Sequence, residues 1–424
     1  MTWRPKVLAL APYCDLTDVG EAWCAAKWVE ELALRADVTL LAMERPGRKT
    51  LQGQLPGVKV MTMAEPAWCR RHERLNAMAK LSYPAFYRWA KKEIRALLAA
   101  GQEFDIGHQF APIALRFPSP LAAFDIPFVL GPQGGSLDTP AAFQAECASG
   151  RWYMGLRNID NWRLRFDPLL RHTYRRASML LGVAPYVKDL IPSLDLPRFA
   201  VESELGVERL MPPNSPFQQP RPTLRLLHVG RGVRTKGLRD VIRAMAYLKD
   251  ISVHLDVAGK GEEMQHCREM ANALGLTGKV TFHGQISRSA VDALYRQADV
   301  FCFPSFREPS GSVVYEALSF GLPVIAADRG GPGHVVDDSC GFKVPITSPD
   351  AFAADIASAI RTLHAMPALR ARLGEGALER MQSIALWPQK IDRLITYYAE
   401  ICVSRVHGKE TTEPCPTTHN VNAC

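Results

Sequence analysis

The chemistry of this chain concentrates in residues 301–336, FCFPSFREPSGSVVYEALSFGLPVIAADRGGPGHVV. An apolar run at 298–303 reads as a buried strand, and Pro304 breaks it at its carboxyl end, where open α/β sheets place their ligands. A polar loop then leads through Pro309, Ser310 and Gly311 into an apolar periodic run (Val313, Val314, Ala317, Leu318) that predicts a helix of two to three turns. Its first residues, Ser312 and Val313, would present free backbone N–H groups and a partial positive charge, and Gly311 lets an anion approach closely. Such a site suits a phosphate. Glu308 lies in the loop and Glu316 within the helix, too far apart to share a proton, so they are expected to hold separate ends of one ligand. An isolated glutamate is usually a solvated charge or an ion-pair partner. The whole string is far more specific than either glutamate alone.

The form E-P-x-G-x-x-x-x-E-A-x-x-x-G-x-P-V-I-A resembles the signature of the family 4 retaining glycosyltransferases, the glycogen synthase-like members of the glycosyl transferases group 1, which have the GT-B fold. The resemblance implies an α/β chain of two Rossmann-like domains facing across a cleft. It implies that Glu316 reaches the ribose hydroxyls and that Glu308 faces the transferred sugar. Upstream, GRGVRTKG follows another strand, and the family places an arginine and a lysine there for the leaving diphosphate. Arg231 and Lys236 match, with Gly230 at the turn, and fixed cations are what that developing charge needs. FHGQIS implies nucleobase contacts through the backbone of Gln285 and Ile286, and Gly20 fills the glycine slot of the first loop. FDIGHQF resembles an element whose histidine approaches the sugar, which marks His108 as a catalytic candidate, although Phe110 stands in the second histidine slot. GPQGGS at 131–136 resembles a cleft-facing loop, and His334 stands where relatives often carry a glutamate.

Composition limits the alternatives. With 424 residues, 47% of them hydrophobic, the chain is expected to form two domains with real cores. It carries ten cysteines and no C-x-x-C pair, a pattern of reduced thiols that argues against zinc or a disulfide framework. The sequence has no apolar run of eighteen residues, and 7–11 is too short for a secretory signal, so a cytoplasmic protein is expected, with peripheral contact to the inner face of the membrane as an extension. The net charge of +8 gathers in two windows, 70–95 and 151–176, which together sum to +11 and interleave arginines with Tyr83, Phe86, Tyr87, Trp89, Trp152, Tyr153, Trp162 and Phe166. An anionic partner is implied, and an anionic membrane surface is the candidate beyond the donor; nucleic acid is not expected.

Strands are expected at 6–10, 38–43, 58–63, 105–108, 127–130 and 179–183, with helices between them, and a second βα series at 224–229, 253–257, 280–283, 298–303 and 323–327. The domains are therefore drawn as 1–204, Rossmann-like and acceptor-side; a proline-rich linker at 205–222; 223–385, Rossmann-like and donor-binding; a helix at 386–407 crossing back onto the first domain; and a polar tail at 408–424. Neither Gly230-x-Gly232 nor Gly259-x-Gly261 completes a dinucleotide fingerprint, and no P-loop occurs.

The leading expectation is a retaining glycosyltransferase of hexosyltransferase type that moves a sugar from a UDP- or GDP-linked donor to a hydroxyl on a glycan or lipid-linked acceptor, in glycan, polysaccharide or glycolipid biosynthesis. No metal and no cofactor is expected, because Arg231, Lys236 and helix amides can neutralise the diphosphate and no Asp-x-Asp element is present. A nucleotide-sugar epimerase or hydrolase on the same fold is the alternative, and an inactive nucleotide-sugar-binding protein a second.

Overall fold

A computed structural model describes residues 3–70, 79–150, 162–191, 198–211 and 222–410. Residues 411–424 of the expected tail, most of the proline-rich run, and Trp152 and Tyr153 lie outside them, while 408–410 continue the last helix. Two sheets form the frame, and every pairing within each is parallel. The first contains β1 (Lys6–Leu10), β2 (Asp37–Glu44), β3 (Lys59–Ala64), β4 (Ile106–Gln109), β5 (Phe128–Gln133), β6 (Met179–Gly182) and β7 (Phe199–Val201), in the order β3-β2-β1-β4-β5-β6-β7. The second contains β8 (Leu224–Val229), β9 (Val253–Ala258), β10 (Val280–Gly284), β11 (Val300–Phe303), β12 (Val324–Ala327) and β13 (Gly341–Val344), in the order β10-β9-β8-β11-β12-β13. Both sheets reverse direction once, between β1 and β4 and between β8 and β11. At such a switch point neighbouring loops diverge to opposite faces and open a crevice at the carboxyl ends of the strands.

The central strands are fully buried, as VFCF in β11 and VIAA in β12 are, because helices cover both faces of a parallel sheet. That burial makes them readable as continuous apolar runs. The sequence reading overlooked the two edge strands β7 and β13. β7 has three half-buried residues, and β13 (GFKV) carries a glycine and a lysine, so neither has a long apolar signature.

The last helix, Trp387–Glu410, contributes its buried side chains to the first domain's core, where Trp387, Ile391, Leu394 and Tyr398 lie with Val7, Ala9 and Trp28. Trp387 meets Trp28 edge-on at 5.3 Å and presses on Gly206, where a Cβ would come within 2.5 Å of the indole. Lys390 has no solvent exposure; it is ion-paired with Glu202 and donates to the Ser203 carbonyl at 2.8 Å. A carboxylate with its charge partner on a facing helix ties the strand exit at Glu202 to this helix. Trp387→Ala is expected to destabilise the protein by about 3 kcal/mol, read by denaturant unfolding, since the side chain is 1% exposed and its cavity cannot collapse onto a glycine.

Candidate functional site

The site grows from the β8–β11 switch point. β8 ends at Val229, and the chain passes Gly230, Arg231 and Gly232 into a short turn, Arg234–Lys236, before the Leu238–Ala246 helix. Gly232 and Gly261 pack backbone to backbone, as do Gly230 and Gly259: a Cβ on Gly259 would lie 1.8 Å from the Gly230 carbonyl oxygen. Bare backbone is therefore required where the loops after β8 and β9 meet. β11 ends at Phe303, and Ser305 donates a hydrogen bond to the Thr235 carbonyl at 2.9 Å, pinning the loop that carries Glu308 to the loop that carries Lys236. These two residues meet. The Lys236 ammonium donates to the Glu308 carboxylate in a largely buried ion pair and also lies over the Phe303 ring at 5.7 Å. Desolvation, and then the charge of Arg231, pull Lys236 down to about 8. Arg231 is exposed at the mouth of the same turn.

Gly311 adopts the left-handed conformation (φ 84°) and starts the Ser312–Ser319 helix. A Cβ there would crowd Pro332 at 3.0 Å and Glu308 at 3.3 Å. Ser312 is exposed at the helix start and Val313 half-buried, while Gly331 packs so closely on Ser310 that a Cβ would come within 2.4 Å of its Cα. Glu316 accepts from Tyr295 at 3.3 Å and pairs with Arg288 at 2.9 Å, both through Oε2. Exposed Gln285 and half-buried Ile286 follow β10; Ile286 packs on the same apolar cluster as Val313 and Tyr295. Thus Gly230, Arg231, Lys236, Glu308, Gly311 and the helix start gather at one crevice, with Glu316, Gln285 and Ile286 on its β10 side.

Three expected residues behave differently. His108 is fully buried inside the first domain: one ring nitrogen bonds the Tyr398 hydroxyl, the other the Gly131 carbonyl at 2.8 Å, and the ring stacks on Phe110 at 3.8 Å. Burial pushes it down to about 3, against the Gly131 bond. A neutral imidazole with both nitrogens engaged has nothing to offer a sugar, so the catalytic assignment of His108 is corrected to one of docking the last helix. Ser310 is buried and gives its hydroxyl to half-buried Glu204, at 2.8 Å, rather than to the crevice; desolvation raises that carboxyl. Gly20 (φ 67°) caps the Glu21–Ala33 helix with open space where a Cβ would stand, so the conformation and not close packing requires glycine.

Sequence reasoning missed Glu204, Arg288 and Tyr295. It also missed a cavity of about 300 Å³ at the carboxyl ends of β1, β2 and β3, lined among others by Tyr13, Asp15, Arg45, Arg48 and Glu65. Arg48 pairs with Asp15 and Arg45 with Asp18, each at 2.8 Å. Alternating charges on successive loops gave no linear motif to find.

Residues 215–380 match the family model for glycosyl transferases group 1. This part of the chain is therefore similar to the glycosyl transferases group 1. The chain is 34% identical over 192 residues to D-inositol 3-phosphate glycosyltransferase of Corynebacterium glutamicum, covering 43% of this chain and 45% of the relative. It is 27% identical over 204 residues to glycogen synthase of Mycobacterium tuberculosis, covering 47% and 48%. The chain thus spans about half the length of these curated relatives. Among solved structures, sucrose-phosphate synthase from Thermosynechococcus elongatus superposes with a TM-score of 0.63 at 19% identity, over 95% of this chain and 100% of that one. Anabaena Alr3699/HepE in complex with UDP-glucose superposes at 0.60 and 18%, over 95% and 100%. These superpositions show the fold, GT-B, with two parallel sheets.

The Lys236 environment predicts a pH dependence for anion binding. Because its conjugate acid is held at about 8, the free protein carries the full charge below that pH and loses it above, so pyrophosphate affinity, followed calorimetrically, should weaken as pH rises through about 8. Lys236→Arg, whose guanidinium does not titrate there, should remove that weakening.

Proposed function

We propose that this protein transfers a sugar from a UDP- or GDP-linked donor to an acceptor hydroxyl with retention of anomeric configuration, in the synthesis of a glycan, polysaccharide or glycolipid. The observation that carries the proposal is the meeting of Lys236 and Glu308 beside Arg231 at the switch point of the second sheet. On this reading 223–385 binds the donor, 1–204 presents the acceptor, 205–222 links them, 386–407 crosses back and 408–424 is a tail. The donor diphosphate takes the Lys236 ammonium away from Glu308 and lies between it, Arg231 and the amides of Ser312 and Val313. Release of Lys236 frees the Glu308 carboxylate for the hydroxyls of the sugar, close to the positive charge that develops at the anomeric carbon. Glu316, held through one oxygen, offers the other to the ribose. Gln285 and Ile286 border the base through their backbone.

As the bond from the anomeric carbon to phosphate oxygen breaks, the bond to the acceptor oxygen forms on the same face. The acceptor's proton passes to the departing phosphate. Charge neutralisation by Arg231 and Lys236 is the protein's part in that step, and no cofactor takes part in the scheme. The acceptor hydroxyl comes from the first domain, and the cavity lined by Tyr13, Asp15, Arg48 and Glu65 is suited to a polyhydroxyl because guanidinium and carboxylate groups alternate on its wall.

The acceptor is a glycan or a lipid-linked sugar, and a membrane face fits the exposed side chains of the first domain. Trp68, Trp162 and Phe166 are each more than half exposed, and Arg165 stacks over Phe166 at 5.4 Å. Exposed indole and phenyl groups beside arginines have the character of interfacial anchors for anionic lipid. None of the helices among the described residues is long and apolar enough to cross a membrane.

Four experiments check the reading. Arg231→Ala and Lys236→Ala should each lower turnover about 100-fold, the usual cost of losing one charge-stabilising donor in a desolvated site, with the fold retained by circular dichroism. Glu308→Gln should act on kcat and Glu316→Gln on donor KM; unchanged kcat in Glu308→Gln removes that residue from the mechanism. Incubation with donor alone separates transfer from epimerase or hydrolase chemistry, since a transferase should turn over slowly until acceptor is added. Co-sedimentation with phosphatidylserine vesicles at low salt tests the membrane face, and full recovery of protein in the supernatant discards it.

A further inference from the structure

The donor loop of the second domain is braced by the first. After β5 the chain runs through Gly135 and Leu137 to residues 140–147, which lie on the second domain: Leu137 Cδ1 stands 2.8 Å from the position a Cβ on Gly330 would take. Phe143, from the first domain, is completely buried in the second domain's apolar core, 4.7 Å from Phe306 and edge-on to Phe352 at 5.7 Å. Three residues on, Glu146 accepts from Arg234 at 2.7 Å and from Arg243 at 2.7 Å. Burial alone would raise this carboxyl, but the two arginines hold it at about 2.

Arg234 is the central element. It starts the Arg234–Lys236 turn, is 6% exposed, forms a second pair with fully buried Asp240 through two hydrogen bonds of 2.6 and 2.9 Å, and lies over both the Phe143 and Phe306 rings at 5.3 and 5.1 Å. Arg231 precedes it by three residues and Lys236 follows by two, while Phe306 precedes Glu308 by two. The cations of the β8 loop and the carboxylate of the β11 loop therefore share one brace, and half of that brace belongs to the other domain.

We propose that Glu146 is a positioning residue for the donor site: by clamping Arg234 it fixes the turn that aims Arg231 and Lys236, so that nucleoside diphosphate affinity depends on a first-domain carboxylate that does not itself touch the ligand. The proposal rests on the reading of this crevice as the donor site. It extends that reading by assigning the first domain a part in donor binding as well as in acceptor presentation. Phe143 supplies the apolar anchor and Glu146 the orientation, because a ring in a core tolerates rotation whereas a carboxylate bridging two guanidiniums does not.

The test is calorimetric titration of UDP, with steady-state donor and acceptor KM, on the full chain carrying Glu146→Gln, Glu146→Asp or Arg231→Ala. Glu146→Gln should weaken UDP binding about fivefold and raise donor KM in step, leaving acceptor KM unchanged, with Glu146→Asp partly restoring affinity. A merely structural role would lower the melting temperature of Glu146→Gln and leave its UDP affinity at the wild-type value; with Arg231→Ala weakened in parallel, that result overturns the proposal alone. Wild-type UDP affinity in Arg231→Ala would instead overturn the donor-site reading, and this inference with it. If Glu146→Gln fails to fold, Glu146→Asp decides: an affinity equal to wild type overturns the proposal, and a two- to threefold loss with unchanged acceptor KM sustains it.

Discussion

The contact between Lys236 and Glu308 is the interaction on which the rest of the site depends. Each residue arrives on the loop after a different strand, β8 or β11, and those strands are neighbours only because the sheet order reverses between them. A buried ammonium beside an exposed guanidinium is costly without a counter-charge, which Glu308 provides in the free protein and a diphosphate can provide in its place. On the proposed reading, one anion is exchanged for another, so the Lys236 charge is never left without a partner. Glycines permit this closeness. Gly259 against Gly230 and Gly331 against Ser310 leave no room for a Cβ, so those loops approach as bare backbone, while Gly311 supplies the left-handed turn (φ 84°) before the helix.

The two sheets interlock more deeply than a hinge between independent domains would require. The last helix places Trp387 and Tyr398 in the first domain's core, and the 140–147 segment places Phe143 in the second's. Between them, Glu202 is paired with Lys390 and Glu204 receives the hydroxyl of Ser310, so the strand exit of the first domain touches both the crossing helix and the loop of the candidate site. Any relative motion must pass through these buried polar contacts, which have few alternative partners and so favour discrete arrangements over continuous sliding.

Much of this was legible in the chain. Buried parallel strands are continuous apolar runs, and residues just past their carboxyl ends are candidates for ligand contact whatever the family; Arg231, Lys236 and Glu308 were read that way, and the structure gathers them. Helix stops and caps were equally local: Ser287 and Ser348 each accept from the N–H three residues on. What escaped was long-range. His108 looked like a strand-end group poised over a cleft, but its burial depends on Tyr398, 290 residues away. Glu146 and Phe143 carried no signal at all, since their partners lie across the domain boundary and an ordinary loop would hold the same residue types. The edge strands β7, of three half-buried residues, and β13, with its glycine and lysine, lacked the apolar run that marks the central strands.

Placing Glu308 beside the anomeric carbon, with the leaving phosphate accepting the acceptor's proton on the same face, commits the account to a stereochemical outcome. The most direct measurement is proton NMR of the first-formed product, comparing the anomeric coupling constant of the transferred sugar with that in the nucleotide-sugar donor. The account predicts the same anomeric configuration in donor and product. An inverted linkage would contradict it, because attack from the opposite face would need a base across the sugar from the diphosphate, and buried His108, with both ring nitrogens engaged, cannot serve as one.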